Sequence, residues 1–416
     1  MTLSTFPQAR GVGAECMESI YLDNNATTFL LPEVADAMDE CCRRGYGNPA
    51  SQHAPGRFAR RALEEARDGV AEILGAHLFG PDADRLVFTS GGTEANNLAM
   101  RGAAGNSPGR IVISAIEHPS VSRCAADLLR LGHEVVQLEV DASGRLRLDS
   151  WSPYLNAQTR LVSVMLANHE TGVIQPVEAL AVRCRETGVL LHTDATQAVG
   201  KISVNFRQLG TAALTCSAHK FHGPVGIGVL LLRSDVAIDP LFAGGSQQRG
   251  IRPGTESVVL AVGMFRALQS WQARCVESHE RLQRMRDRFE ASLSAAIPNL
   301  TVHGRDSARL PHVTNVSFPD VDRQAMMMAL DLEGIACSTG SACASGSSEP
   351  SPVLKAMGVS DDLISSALRF AFSTLNRDAD AEEAAVRIPS IWSRLRSMPS
   401  DGKRAAPSRY FGGKPV

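Results

Sequence analysis

Seven short apolar runs recur along the chain, at residues 85–89, 110–114, 134–140, 161–167, 189–193, 213–217 and 227–232. Such runs are the length of strands, and stretches with helical periodicity, such as Arg57 to Leu74, lie between several of them. This alternation predicts an α/β fold: a mainly parallel seven-stranded sheet with helices on both faces. In such a sheet, ligand-binding groups gather beyond the carboxyl ends of the strands. From about Trp271 the pattern changes to a long charged helix over about 271–296, then short strands near 312–318 and 367–372. That portion reads as a second, smaller α+β domain.

The residues just past the strand runs carry distinctive chemistry. Val189-Leu190-Leu191 leads into His192-Thr193-Asp194-Ala195-Thr196-Gln197, and Ala213-Leu214-Thr215-Cys216 leads into Ser217-Ala218-His219-Lys220. A carboxylate at one strand end and a lysine at a neighbouring one suit pyridoxal phosphate. The amine forms a Schiff base with the cofactor aldehyde, and the carboxylate keeps the pyridine nitrogen protonated. Taken singly, an Asp at a strand end is a common cap and a Lys a common solvated residue. Two further segments fit the same cofactor. Ser90-Gly91-Gly92-Thr93-Glu94 follows the run at 85–89 and opens a helix, offering free N–H groups and close backbone approach to a phosphate. Glu117-His118-Pro119 follows the run at 110–114, where an imidazole can lie against a flat ring and move protons near neutral pH. No Walker-type or dinucleotide glycine pattern is present, which argues against a nucleotide.

A thiol stands out as well. Cys343 lies in Ile335-Ala336-Cys337-Ser338-Thr339-Gly340-Ser341-Ala342-Cys343-Ala344-Ser345-Gly346. So many small residues offer little surface to bury and predict a mobile loop. Cys is ordinarily a buried residue, so Cys343 is out of place for packing, whereas Cys337 on the shoulder reads as an apolar filler. The nine cysteines are odd in number and contain no CxxC pair, and Cys41-Cys42 would face different directions on a helix. With no secretory signal in the first twenty residues, a reducing, cytoplasmic setting is expected. No apolar run approaches membrane-spanning length. A net charge of -2 gives no electrostatic footprint for nucleic acid, and 44% hydrophobic residues supply ample core.

Together these segments make the chain similar to the cysteine desulfurases, pyridoxal phosphate enzymes of the class-V aminotransferase group and of fold type I. The similarity runs in order from about Tyr21 to Ser373, through Leu22-Asp23-Asn24-Asn25-Ala26-Thr27-Thr28, Gly47-Asn48-Pro49-Ala50-Ser51, Thr89 to Glu94, Glu117-His118, Asp194 to Gln197, Ser217 to Lys220, Arg252-Pro253-Gly254-Thr255 and Gly340-Ser341-Ala342-Cys343. The resemblance implies that Lys220 carries the cofactor, Asp194 pairs with the pyridinium, Gln197 bonds the phenolic oxygen and His118 stacks on the ring. It implies that Thr93, Ser217 and His219 hold the phosphate with the Gly92 backbone, and that Thr255 reaches the phosphate of a neighbouring subunit in a homodimer. Asn48 and Arg369 would bind the substrate carboxylate, for which the planar Arg fork is suited. Cys343 would take sulfur from L-cysteine as a persulfide, leaving alanine, and pass it to an acceptor or scaffold protein for iron–sulfur cluster or thio-cofactor assembly. No metal site is expected beyond transient iron–sulfur or persulfide ligation at Cys343. The expected organisation is an N-terminal segment 1–30 joining the small domain, a cofactor domain 31–268, a small domain 269–396 with the Cys343 loop, and a disordered tail 397–416.

The sequence departs from the family pattern at two points. His169, in Ala167-Asn168-His169-Glu170-Thr171-Gly172, stands where a second Asn is common; it is expected to face the cofactor edge and to titrate near neutral pH. Ala371-Phe372-Ser373-Thr374 follows Arg369 where a Gly-Arg pair is often found. A selenocysteine lyase shares these motifs, a class-V aminotransferase would not need Cys343, and a sulfur-relay scaffold would have no use for Lys220, Asp194 and His118 together.

Overall fold

The computed structural model describes residues 19–147, 149–340 and 349–397. Its first strand, β1 (Ile20–Tyr21), is short; the main sheet follows from β2 (Arg85–Thr89), β3 (Arg110–Ser114), β4 (Glu134–Leu138), β5 (Thr159–Ser163), β6 (Leu190–Asp194), β7 (Ala213–Ser217) and β8 (Gly228–Leu232). These seven strands lie side by side in the order β2-β8-β7-β6-β5-β3-β4. All neighbouring pairs are parallel except those made by β8, which runs antiparallel to both β7 and β2. The two reversals cancel, so β2 points the same way as β6 and β7. The ends of β2, β3, β6 and β7 therefore share one edge of the sheet.

β7 and β8 are buried at every position, which explains why these strands read as continuous apolar runs rather than alternating ones. The helix Gly92–Ala104 packs Ala95, Leu98, Ala99 and Met100 inward. The helices Ala54–Ile73 and Val258–Gln272 pack against each other on the sheet. The expected run 161–167 begins earlier and leaves the strand at Ser163. Val164 to Ala167 are apolar because they are buried, and Asn168 then ends the extended course by accepting the Glu170 and Thr171 N–H groups at 2.9 and 3.0 Å.

A second core forms around the helix Cys275–Ala296 and the three-stranded antiparallel sheet of β9 (Thr301–Val302), β10 (Val313–Ser317) and β12 (Ala367–Ala371). Phe289 sits 5.3 Å from both the Phe370 and Phe372 rings, with Phe318 close by. Such offset and edge-on pairs are worth about 0.5–1.5 kcal/mol beyond the area they bury. Helix Asp378–Ser397 closes this core with Ile388, Ile391 and Trp392. The remaining strand, β11 (Ile335–Ala336), pairs in parallel with β1, and Ile20 and Leu22 are buried in the same small core. Of the expected tail, residues 398–416 lie outside the described residues, as does most of the expected N-terminal segment, residues 1–18. No helix among the described residues is long and apolar enough to cross a membrane.

Candidate active site

A cavity of about 260 Å³ opens at the shared strand edge, lined by Gly92, Thr93, Asn96, His118, His169, Asp194, Thr196, Gln197, Ser217, His219 and Lys220, among others. Each element contributes through its carboxyl end. Asp194 is the last residue of β6. Its Oδ2 accepts from Asn96 Nδ2 at 2.7 Å and its Oδ1 from the Thr196 N–H at 2.9 Å. The carboxylate is thus held by two donors and 6% exposed. Lys220 ends the single turn Ala218–Lys220 that follows β7. Its Nζ donates to the backbone carbonyls of Asn25 and Ala26 at 2.6 and 2.8 Å.

His118 caps the helix Pro119–Arg130 through Nδ1, which accepts from the Ser120 N–H at 3.1 Å and lies 2.8 Å from the Ser120 hydroxyl. Burial lowers its pKa, with the Lys220 cation adding to the effect and the Asp194 carboxylate opposing it. His219 is pushed down to about 4 by burial and by Lys220. Both imidazoles are therefore neutral at physiological pH, able to donate from one nitrogen and accept at the other.

The unsatisfied atoms around this cavity define what it can hold. Asn96 Oδ1, Thr196 Oγ1, Gln197 Oε1 and His169 Nδ1 are buried without a hydrogen-bond partner, and buried polar atoms normally have one. At one end, Thr93 is exposed, and Gly92 opens the helix Gly92–Ala104. A Cβ at residue 92 would come within 3.2 Å of Thr196 Oγ1 and 3.6 Å of Ser217 Cβ, so any side chain would fill the space beside the free N–H groups. A group with a phosphate at one end and a polar aromatic ring at the other fits this pattern: an anion at a helix N-terminus, a ring beside His118, and a buried carboxylate and an amine at the ring's edge.

A second cavity, of about 360 Å³, shares Ala26, His118, His169, Gln197 and Lys220 with the first and adds Asn25, Glu117, Glu170, Gly340 and Arg369 to its lining. Arg369 is 2% exposed. It is paired with Asp23 Oδ1 at 2.7 Å and donates to the His169 carbonyl at 3.0 Å, while its Nε has no partner. Its immediate neighbour Asp23 reduces the field a substrate carboxylate would meet, so the pair acts as a unit. Asn48 is not part of either cavity: it lies on an exposed turn, its Oδ1 accepting from the Ala50 N–H at 2.9 Å. Thr255 is likewise exposed and lines neither cavity. Its segment is tied to the Gly92 turn by the Arg252–Glu94 pair at 2.8 Å, and Glu94 also accepts from the Ser90 N–H. Cys343 lies outside the described residues; Cys337 packs against the small core, and burial pushes its thiol up, away from thiolate.

His169 faces both cavities, but its expected titration near neutral pH does not hold. It is 12% exposed, and burial, with His118, Arg369 and Lys220 around it, holds it well below its ordinary value. Its ring meets the His118 ring edge-on at 5.5 Å.

Several residues with a clear place here carry no assigned role in the sequence reading. The segment Asp23 to Thr28 threads between the two cores. Gln197 Nε2 donates to the Asn25 carbonyl, His312 Nε2 lies 2.8 Å from Asn25 Oδ1, and Thr28 N bonds the His219 carbonyl. Asn96 orients Asp194, and Glu117 and Glu170 are buried carboxyls at the rim. The motif Leu22 to Thr28 marks this segment in sequence, although its contribution comes largely through backbone carbonyls.

A fold-type I α/β sheet with a lysine, a held carboxylate and a phosphate cradle at one strand edge defines a pyridoxal phosphate enzyme. The sequence profile of the family "Aminotransferase class-V" matches residues 20–383. A cysteine desulfurase from Gluconacetobacter diazotrophicus is 42% identical over 399 residues, covering 95% of this chain and 99% of that one. The solved structure of a NifS-like protein from Rickettsia africae superposes with a TM-score of 0.82 at 31% identity, covering 90% of this chain and all of that one. Another, SspA in complex with cysteine, gives 0.75 at 29% identity over 85% of this chain and 99% of that one. The chain belongs to the class-V aminotransferase family and, within it, to the pyridoxal phosphate-dependent cysteine desulfurases.

Proposed function

We propose that this protein converts L-cysteine to L-alanine and takes the sulfur onto Cys343 as a persulfide for delivery to an acceptor. The carrying observation is the convergence of Lys220, Asp194, His118 and Gln197 on one cavity that runs into a second, rimmed by Arg369 and by Gly340, three residues before Cys343. When bound, pyridoxal phosphate supplies an aldehyde for the substrate amine and an electron-withdrawing ring beside it.

Each protein group then has a defined task. Lys220 is the amine for cofactor attachment, and its two carbonyl contacts hold it at the cavity wall. Freed from attachment, the same amine would take up and return the proton at the substrate Cα. Asp194 keeps a proton on the ring nitrogen, aided by its two donors. Gln197 Nε2, which gives one of its two hydrogens to the Asn25 carbonyl, and His169 Nδ1 would donate to the ring's oxygen edge, while Thr93, Ser217, His219 and the Gly92 backbone would take the phosphate. Arg369, steadied by Asp23, receives the substrate carboxylate. The Cys343 thiolate attacks the substrate sulfur. An S–S bond forms, the carbon–sulfur bond breaks, and the carbon gains a proton to give alanine. Burial keeps His118 neutral, so it can accept the proton that the thiol gives up.

Several wider features belong to the same reading. We take residues 31–268 as the cofactor domain, and 269–396 with the N-terminal segment as the small domain, supported by the two separate cores and the β1–β11 pair. Thr255, exposed on its own protomer and braced by Arg252, supports a homodimer in which it completes a partner's phosphate site. Seven described cysteines are free, in keeping with a cytoplasmic enzyme serving an iron–sulfur or thio-cofactor acceptor.

The deciding experiment is product analysis with L-cysteine and L-selenocysteine for the wild type and Cys343→Ala. Alanine from L-cysteine should fall to near background in the variant while the cofactor's absorption band is retained. Full alanine formation from L-cysteine by Cys343→Ala would overturn the role of Cys343. Turnover of L-selenocysteine alone would assign the chain to the lyases.

A further inference from the structure

We infer that Glu170 is a positioning residue that staples together the two ends of the segment bearing Cys343; this rests on the reading of Cys343 given above. The Glu170 carboxyl is 1% exposed. Its Oε2 accepts a 2.6 Å hydrogen bond from the Ser351 hydroxyl. Gly340 lies against the same carboxyl, close to the same oxygen. A Cβ on residue 340 would sit 2.9 Å from Oε2 and 3.2 Å from Cδ, and its φ is +86°. Residues 340 and 351 are eleven apart and enclose Cys343. One side chain on the turn after β5 thus touches both stems of a segment that belongs to the other part of the molecule.

The stems have partners that make the contact directional. Gly340 N–H is held by Ser338 Oγ at 3.1 Å, and Ser338 exchanges both backbone bonds with Arg369. Ser351 also accepts from Leu354 N–H at 3.1 Å, capping the short helix Pro352–Ala356. On the far side, Arg323 Nη2 bonds the Glu349 carbonyl at 2.7 Å. Glu170 itself is fixed by the Asn168 side chain, and it follows His169, which lines both cavities. The Glu170 carboxyl therefore sets where the segment leaves and re-enters the fold relative to His169 and Arg369. Residue 340 needs glycine for two reasons: the positive φ and the close carboxyl.

A misplacement of about 1 Å at a reacting group costs up to about 10²-fold in rate, which sets the scale of the test. The holoenzymes of wild type, Glu170→Gln and Glu170→Ala are compared. The Gln amide oxygen can still accept from Ser351; Ala cannot. The expected result is a kcat for alanine formation lowered about tenfold or more by Glu170→Ala, with KM for L-cysteine and the cofactor band unchanged and Glu170→Gln near wild type. Amide hydrogen exchange should quicken in peptides covering 338–340 and 349–353 of Glu170→Ala, while the β7 peptide 213–217 stays as in wild type. Unchanged stem exchange, or a Glu170→Gln variant as slow as Glu170→Ala, overturns the staple. Loss of the cofactor band together with kcat would also overturn it, as general structural damage. Cys343→Ala, run alongside, separates the two claims: if it retains full alanine formation the role of Cys343 fails, whereas the exchange result judges Glu170 independently.

Discussion

Glu117 offers a test of the site's electrostatics that does not depend on turnover. Its carboxyl bridges β3 and the segment after β5: Oε1 accepts from the Ser114 hydroxyl and from the Met165 N–H at 2.8 Å. Oε2 is buried with no partner. Burial pushes its pKa from 4.5 up to about 8, with the two donors pulling it back and Asp194 adding to the rise. In the folded protein it therefore keeps its proton well into the range where the unfolded chain has lost it.

The sign follows from proton counts. Between 4.5 and about 8 the folded state binds one proton more than the unfolded state, so stability is fully present below 4.5 and falls as pH rises through 8. Each pH unit in that window removes about 1.4 kcal/mol. From 4.5 to 7 the loss is at most about 3 kcal/mol, and it levels off above 8. Glu117→Gln cannot ionise and keeps an oxygen for both donors. Its amide N–H₂ replaces the unpartnered Oε2, at a cost of about 1–3 kcal/mol that does not vary with pH. The variant should therefore gain on the wild type steadily from pH 5 to 8. Urea or thermal unfolding of the cofactor-free proteins across that range measures it. A constant offset between the two proteins, whatever its size, would refute the buried, proton-bearing Glu117.

Three further outcomes are expected. Borohydride reduction followed by peptide mass mapping should tag Lys220 in the wild type and no lysine in Lys220→Ala; a tag elsewhere would reassign the cofactor lysine. His169→Asn should keep kcat within about tenfold, roughly 1.4 kcal/mol, and the cofactor band should follow the same pH profile in both proteins around pH 6.5, since burial keeps His169 neutral there; an inflection present in the wild type alone would contradict that burial. Thr255→Ala should weaken cofactor retention without loss of fold, and solution scattering should find a dimer at micromolar concentration; an active, cofactor-loaded monomer would sink the composite site.

The sheet was legible because its strands are short and continuously apolar, and β7 and β8 are buried throughout. Thr93, His118, Asp194 and Lys220, picked out by their chemistry, all fall at or just past the carboxyl ends of those strands. The run 161–167 outlasts the assigned strand for a physical reason. Past Ser163 the N–H groups of Val164 and Leu166 still donate to the His192 and Asp194 carbonyls of β6, at 3.1 and 2.9 Å, so the buried chain follows its neighbour to the strand end although the regular ladder has stopped. His169 was placed correctly at the cavity but given the wrong protonation, because burial and three cationic or imidazole neighbours are not visible in its local sequence. Asn48 and Thr255 entered only through family resemblance, and neither lines either of the two cavities described.

What stayed hidden was mostly backbone and pairing. Lys220 is held by the carbonyls of Asn25 and Ala26, almost two hundred residues away in sequence. Every residue has a carbonyl, so no side-chain pattern could mark those two. Asn96 gave no signal either, since a polar residue inside the helix Gly92–Ala104 reads as solvent-facing until the Asp194 carboxylate is found beneath it. The site's chemical demand lies in what these partners leave over. Asn96 spends its N–H₂ on Asp194 and Ser120 and keeps Oδ1 open; Gln197 spends Nε2 on Asn25 and keeps Oε1 open. A buried acceptor left open costs about 1–3 kcal/mol. The fold therefore bears that cost at several points around one cavity, which marks that cavity as the place for a polar ligand.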